Sequence, residues 1–480
     1  MAAVRDLSSI FGSHAWIERL WSSIADKGRA FASVPSEARP PLQRAQLLAK
    51  ALLSGRGEAS GAAVARELHA VLHDLNGADR LEFYRFLATD FAPDPDQLRH
   101  AAEAYLGDPS PEQAAQLTAA ADPPRQELLR RMNVSLGGTA ALVAMRKELL
   151  GLLREEPGLK PLDSDLRHLL GSWFNLGFLQ LRRIDWQTPA ATLEKLIAYE
   201  AVHAIQGWDD LRRRLAPDRR CFGFFHPALP GEPLIFVEVA LVNGLSASIQ
   251  PLLEPVTDER AAAAAAARAD TAIFYSINNC RDGLRGVSFG NFLIKQVVDE
   301  LTAELPALTC FSTLSPVPGF RRWLDKYLTA DPANQAMLSD AERAALSDGT
   351  SGDEATLLRD ALHEDEWWAD AIRADLLHMP LLRLCATYLT ETTDRGADPV
   401  ARFHLGNGAR LERINWLGNL SPRGIQESWG IMVNYLYEPS EIEANHEMFV
   451  RDGTVVRSLA VDALKEPCQP KRRARAARSR

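Results

Sequence analysis

Three stretches of the chain hold side chains whose type and setting suit chemistry. The first is Phe311-Ser-Thr-Leu-Ser-Pro-Val-Pro-Gly-Phe320, where Ser315 ends an apolar, β-branched run and prolines follow. A hydroxyl at the carboxyl end of a strand is placed to meet a ligand. The same serine, with Pro318 suited to open a helix, also reads as an ordinary N-cap. The second is Val400-Ala-Arg-Phe-His-Leu-Gly-Asn-Gly-Ala-Arg-Leu-Glu-Arg-Ile-Asn-Trp416. Ala401, Phe403 and Leu405 alternate with Arg402 and His404, which predicts a strand with His404 opposite Phe403. Asn407-Gly408 predicts a hairpin turn, with Leu411, Arg413 and Asn415 on the return strand. An imidazole there would donate or accept a proton near neutral pH, and His203 and His226 compete for that role. The third is a strand from Thr271 to Asn278, a turn Arg285-Gly-Val-Ser-Phe-Gly290 and a helix from Asn291. A strand passing through glycines into a helix start presents backbone N–H groups and the positive end of a dipole, which can hold a phosphate or pyrophosphate. The turn is neither the dinucleotide fingerprint nor a P-loop. Cys280 beside it is expected to be accessible, but not to be a nucleophile.

These stretches need elements to position them. Residues 1 to 165 read as helices with short breaks at Pro93, Pro95, Pro109, Pro111 and Gly137-Gly138, which predicts a helical bundle. Beyond that the character changes. Leu176 to Asp185 predicts a strand, Pro189 to Ile205 and Trp208 to Leu215 predict helices, and Cys221–Pro227 and Pro233–Val242 predict paired strands. The Thr271 strand, the Asn291 helix, a strand Leu308–Leu314 and a helix from Pro318 follow. This β-α-α-β-β-β-α-β-α order is that of an acetyltransferase-like mixed sheet, and the turn resembles the R/Q-x-x-G-x-G/A turn with which such folds grip coenzyme A. Residues 330 to 395 read as a helical insertion, and the Ala261–Ala267 run as a plain helix. The expected fold class is α+β: a helical domain (1–165), a catalytic domain of acetyltransferase type (166–465) and a disordered basic tail (466–480).

With 480 residues, 46% hydrophobic and 24% charged, the chain has the composition of a soluble globular protein. Its formal net charge of −9 argues against a nucleic-acid binder with a basic surface. Five scattered cysteines form no CxxC pair and no metal-binding spacing. Nothing in the sequence predicts a membrane span, and the start reads poorly as a secretory or mitochondrial leader. The cytoplasm is the expected compartment.

Several segments together resemble the malonyl-CoA decarboxylase family. They are Phe225–Ala240, Ala272–Ile277, Gly283–Lys295, Phe311–Phe320 and Asn407–Trp416, in the family's order, with the resemblance densest between Phe222 and Tyr437. The resemblance implies a helical oligomerisation domain ahead of the catalytic domain. It also implies conversion of malonyl-CoA to acetyl-CoA and carbon dioxide without metal or organic cofactor, in a homo-oligomer. The family's catalytic serine falls on Ser315 and its histidine on His404. Its coenzyme A turn falls on Arg285, Gly286, Val287, Ser288, Phe289, Gly290 and Asn291. Animal members carry a glutamate where this chain has Ser288, so a role for that carboxylate does not carry over. Their Ser-Lys-Leu ending is also replaced, by Arg478-Ser479-Arg480.

The residue types suit that reaction. Loss of carbon dioxide from a malonyl thioester leaves an enolate, whose oxygen must be stabilised and whose carbon must gain a proton. The thioester carbonyl accepts the electron pair, so no separate electron sink is required. Two assignments stay open at this level: His404 as proton donor with Ser315 on the oxygen, or Ser315 as relay with His404 on the oxygen. Acyl transfer from acetyl-CoA to an amine and non-catalytic acyl-CoA binding are the competing functions.

Overall fold

The computed structural model describes residues 23, 26, 27, 38–54, 58–255, 258–287, 293–329, 338–347, 352–391 and 398–465. Most of residues 1–37, Ser288 to Phe292, parts of the insertion and the basic tail lie outside the described residues. The chain divides into two compact units. One holds the described residues up to 180 with 224–234 and 279–287, and the other holds the remainder.

Among the described residues the first unit is built on eight helices: α1 (Pro41–Leu53), α2 (Glu58–Asp74), α3 (Gly77–Asp90), α4 (Pro95–Gly107), α5 (Pro111–Ala121), α6 (Pro124–Asn133), α7 (Gly138–Leu152) and α8 (Lys160–Trp173). Their starts follow from local chemistry. Asn76 accepts the Asp79 N–H ahead of α3, and Asp94 accepts those of Asp96 and Gln97 ahead of α4, where Pro95 is the first residue. Leu48, Leu68, Phe83, Leu87, Leu128, Leu142, Leu149, Leu162 and Leu166 are all fully buried in one core. Each such side chain contributes about 1.5–3 kcal/mol by leaving water. Arg125 of α6 pairs with Asp165 of α8 inside that core.

The second unit carries most of the sheet. Its strands are β1 (Gln180–Ile184), β2 (Arg219–Phe225), β3 (Pro233–Val242), β4 (Thr271–Asn279), β5 (Cys310–Thr313), β6 (Ser315–Pro316), β7 (Arg410–Asn415) and β8 (Met432–Leu436). The order is β1-β2-β3-β4-β5-β8-β6, with β7 also on β8. Helices α9 (Ala190–Tyr199) and α10 (Trp208–Arg214) precede β2, and α11 (Glu259–Ala266) precedes β4. Helix α12 (Leu293–Glu304) links β4 to β5, and α13 (Phe320–Tyr327) follows β6. The inserted helices are α14 (Asp340–Ser347), α15 (Glu354–His363) and α16 (Ala371–Glu391); α17 (Pro399–Gly406) then leads into β7. The helical first part, the order of the mixed-sheet elements and the insertion are as the sequence predicts. Among the described residues no helix is long and apolar enough to cross a membrane.

Several local expectations are corrected. Residues Leu176–Phe178 form a 3-10 turn, and the strand begins only at Gln180. The helix expected to reach Ile205 stops at Tyr199. There the Glu200 carboxylate takes the N–H groups of Val202 and His203, and Asn278 takes that of Ala201, so side chains replace the helical ladder. The largest correction is at 399–406, which is helical rather than a strand. Asp398 accepts the Val400 and Ala401 N–H groups and Pro399 opens the helix. Asn407 and Gly408 close it, donating to the carbonyls of Phe403, His404 and Leu405, instead of forming a hairpin. Cys280 is buried, at 7% exposure, with its N–H on the Leu234 carbonyl, and is not the accessible thiol expected.

Candidate active site

Strand β4 runs parallel to β5 from Thr271 beside Cys310 to Phe274 beside Thr313. The last bond between them is from the Leu314 N–H to the Phe274 carbonyl, 2.9 Å. Beyond it β4 continues towards Asn279, whereas the other chain stays on β8. Ser312 faces Leu436, Ser315 faces Val433 and Pro316 faces Met432, all in one antiparallel register. Ser315 therefore stands just past the point where two parallel strands part. It is a strand residue, not the N-cap that the sequence alternatively allowed.

Its hydroxyl lies between two partners. It donates to Thr313 Oγ1 at 2.9 Å and contacts His404 Nε2 at 3.1 Å. Thr313 Oγ1 also accepts the Tyr435 N–H at 3.1 Å, and the Thr313 carbonyl is held by Asn434 Nδ2 at 2.6 Å. The strand end that presents Ser315 is thus pinned by β8, through the Tyr435 backbone and the Asn434 side chain. Asn415 of β7 in turn holds Asn434 Oδ1 at 2.8 Å.

His404 arrives on α17. Its ring is stacked on Tyr435, with centroids 4.8 Å apart and planes 23° apart, and Phe403 stands edge-on to it. Nδ1 meets the Tyr437 hydroxyl at 2.8 Å. At 3% exposure the imidazole has lost its water, and that burial pushes its pKa down to about 3. The sequence alone assigned it the ordinary value near 6.5. In the folded chain it is a neutral ring at physiological pH. Burial likewise holds the Tyr437 phenol well above its usual range, so it stays protonated. The resulting chain is Thr313–Ser315–His404–Tyr437, with no charged member.

The other candidates lie elsewhere. His203 is buried in the irregular segment after α9, where burial and Arg214 push it down to about 3. His226 accepts the Ala228 N–H through Nδ1 and packs on Phe174. Neither is bonded to Ser315.

Of the predicted coenzyme A turn, Arg285, Gly286 and Val287 are described, and all three belong to the first unit. A 3-10 turn Asp282–Leu284 precedes them. The Arg285 N–H closes on the Asp282 carbonyl and the Val287 N–H on the Leu284 carbonyl, so both are used within the turn. The Arg285 side chain is 75% exposed, and among the described residues it pairs with Asp282 at 3.3 Å. Helix α7 supports this turn from within the bundle unit. Arg146, 1% exposed, donates to the Gly283 carbonyl at 2.7 Å and to Asp163 at 2.8 Å, and Lys147 pairs with Asp282 at 3.1 Å. A Cβ on Gly283 would lie 2.0 Å from the Val143 carbonyl oxygen, so only glycine lets the backbones approach this closely.

Sequence reasoning missed Thr313, Tyr437 and Asp398. Asp398-Pro399 is a helix-start signature that could have exposed α17. No local signal marks the Tyr437 hydroxyl as a histidine partner.

A neutral hydroxyl–imidazole–phenol chain thus lies at the parting of two parallel strands of the mixed sheet. Residues 177–476 match the model of the malonyl-CoA decarboxylase C-terminal domain, and residues 91–174 that of the malonyl-CoA decarboxylase N-terminal domain. The chain belongs to the malonyl-CoA decarboxylase family. It is 39% identical over 391 residues to the mitochondrial malonyl-CoA decarboxylase of Anser anser anser, spanning 78% of this chain and 77% of that protein. It is 38% identical to the Mus musculus counterpart, over 68% of each chain. The crystal structure of malonyl-CoA decarboxylase from Rhodopseudomonas palustris is similar, with TM-score 0.78 and 48% identity over 88% of this chain and 100% of that one. That from Agrobacterium vitis gives 0.77 and 47% over the same shares.

Proposed function

We propose that this chain decarboxylates malonyl-CoA, releasing carbon dioxide and leaving acetyl-CoA. The observation that carries the mechanism is the contact between Ser315 and His404, residues 89 positions apart in sequence, inside a buried site. As the carboxylate leaves, its bonding electrons move into the thioester and charge gathers on the carbonyl oxygen. Donors already aimed at that oxygen stabilise the enolate without reorganising.

Donor counting supports one direction for the chain. A buried phenol O–H left without an acceptor costs roughly 1–3 kcal/mol. Tyr437 therefore donates to His404 Nδ1, which puts the ring proton on Nε2. Nε2–H then donates to Ser315 Oγ, and the Ser315 proton, resting on Thr313, is free to swing to substrate. Ser315 is thus the group that faces the thioester, and the neutral imidazole behind it strengthens its donation. The proton gained by carbon passes through this hydroxyl, and water replaces it once per turnover. The reaction needs no added electron sink. The Arg285–Asn291 turn is the proposed grip on the coenzyme A phosphates, with Arg285 supplying an exposed cation.

The remaining assignments belong to the same reading. They are a homo-oligomer assembled through a helical domain of residues 1–165, a catalytic domain of residues 166–465, and a cytoplasmic setting in malonate or fatty acid metabolism. The deciding experiment incubates purified protein with malonyl-CoA alone in D2O. The reading expects carbon dioxide and acetyl-CoA carrying one deuterium in its methyl group. Turnover only after addition of an amine would instead reveal an acyltransferase, and binding without turnover a regulator.

A further inference from the structure

The inserted helices and Asp398 take no part in this chemistry, yet they meet at the segments that carry it. Asp398 is 2% exposed and accepts four hydrogen bonds. Oδ1 takes the N–H groups of Val400 and Ala401, at 2.9 and 3.2 Å, and so caps α17, the helix of His404. Oδ2 takes the Gly319 N–H at 3.0 Å and the Tyr388 hydroxyl at 3.3 Å. Gly319 closes the short segment that leaves Ser315 and enters α13. A Cβ there would lie 2.2 Å from the Tyr388 oxygen and 3.2 Å from Asp398 Oδ2, so a larger residue would displace the Tyr388 hydroxyl from the carboxylate. Tyr388 comes from the inserted helix α16, and its ring packs on Phe320 and Trp323 of α13 at 6.0 and 5.2 Å.

We propose that Asp398 is a positioning residue: its single carboxylate sets the Ser315 segment against the His404 helix, and Tyr388 of the insertion holds that carboxylate in place. The proposal rests on the assignment of Ser315 and His404 above. Its physical basis is the steep dependence of a hydrogen bond on distance and angle. A capping carboxylate normally needs only its own helix. Here the second oxygen is spent on another segment, and both segments end in a member of the reactive pair. Misplacement of a reacting group by about 1 Å costs up to roughly 10² in rate, so loss of this tether should slow turnover without touching substrate affinity.

Asp398→Ser tests it, because serine caps a helix about as well as aspartate but is too short to reach Gly319. The expected result is a KM for malonyl-CoA within about twofold of the parent and a kcat lower by about tenfold or more. In a Ser315→Ala background the same change should cost less than about twofold, since the partner it positions has gone. An unchanged kcat overturns the proposal. So does an equal loss in both backgrounds, which would make the effect independent of the pair. Tyr388→Phe is the milder variant, expected to lower kcat by about threefold at constant KM. Should Asp398→Ser not fold, an unaltered kcat in Tyr388→Phe overturns the proposal alone. A Ser315→Ala protein of full activity would sink the site assignment, a separate failure that the single mutant reveals.

Discussion

The Ser315–His404 pair and the Asp282–Val287 turn are held by opposite means. The pair is assembled from β6, α17 and β8, and its groups are buried, neutral and linked hydroxyl to ring to hydroxyl. The turn is a local motif whose cation, Arg285, stands 75% exposed beside one carboxylate. Such an exposed ion pair contributes at most about 1 kcal/mol. The turn's order comes instead from its backbone, docked on α7 through Arg146 and the close approach at Gly283. The two proposed roles differ accordingly. Proton transfer depends on fixed orientation and exclusion of water, whereas a phosphate grip needs a charge that remains reachable.

Damage to the two regions should leave different kinetic signatures. The largest effect is expected from Ser315→Ala and His404→Asn, each lowering kcat by about 10² or more with KM and melting temperature little changed. Steady-state kinetics and thermal unfolding check this, and near-normal rates would remove both from the mechanism. Tyr437→Phe comes next. It leaves the ring in place but frees Nδ1, so the tautomer is no longer set and kcat should fall by about tenfold. Arg285→Ala and Gly283→Ala should instead raise KM severalfold, to about tenfold, with kcat within about twofold. A kcat loss like that of Ser315→Ala would place the turn in the chemistry.

The smallest effect is a missing one. With its pKa pushed down to about 3, His404 should leave no inflection near 6.5 in the pH dependence of kcat. An inflection there that vanishes in His404→Asn would show a charged ring. The same shift has a stability sign. Above pH 6.5 the ring is neutral folded or unfolded. Between 6.5 and about 3 only the unfolded chain takes up the proton, so folding loses stability as the pH falls through that window. His404→Asn should therefore flatten the acid side of the stability profile, measured by denaturant unfolding at pH 7 and pH 5.

Much of this was legible without coordinates. The β-branched and aromatic runs at Pro233–Val242 and Thr271–Asn279 became strands, and the alanine run became helix α11. The serine and histidine singled out do meet. The failure at 399–406 is instructive. Five residues alternating apolar and polar satisfy a period of two, but so short a run also fits a helical turn. What tips it is Asp398, whose carboxylate satisfies both the helix start and Gly319. Its second partner lies 79 positions away, beyond any local pattern. The helix at Tyr199 ends for a similar reason, since Asn278 of β4 takes over a backbone donor.

Residue types, their order and the hydrophobic patterning by themselves determined most of the succession of helices and strands, the apolar run that leads into Ser315 and the glycine turn after β4. Tertiary structure alone decided that His404 rides a helix, that its ring is neutral, and that Thr313, Tyr437 and Asp398 are its near and distant supports. The reason is physical. A helix start or a strand is governed by neighbours along the chain. The solvation of an imidazole and the partner of each buried hydrogen-bonding group depend on what long-range packing brings beside them.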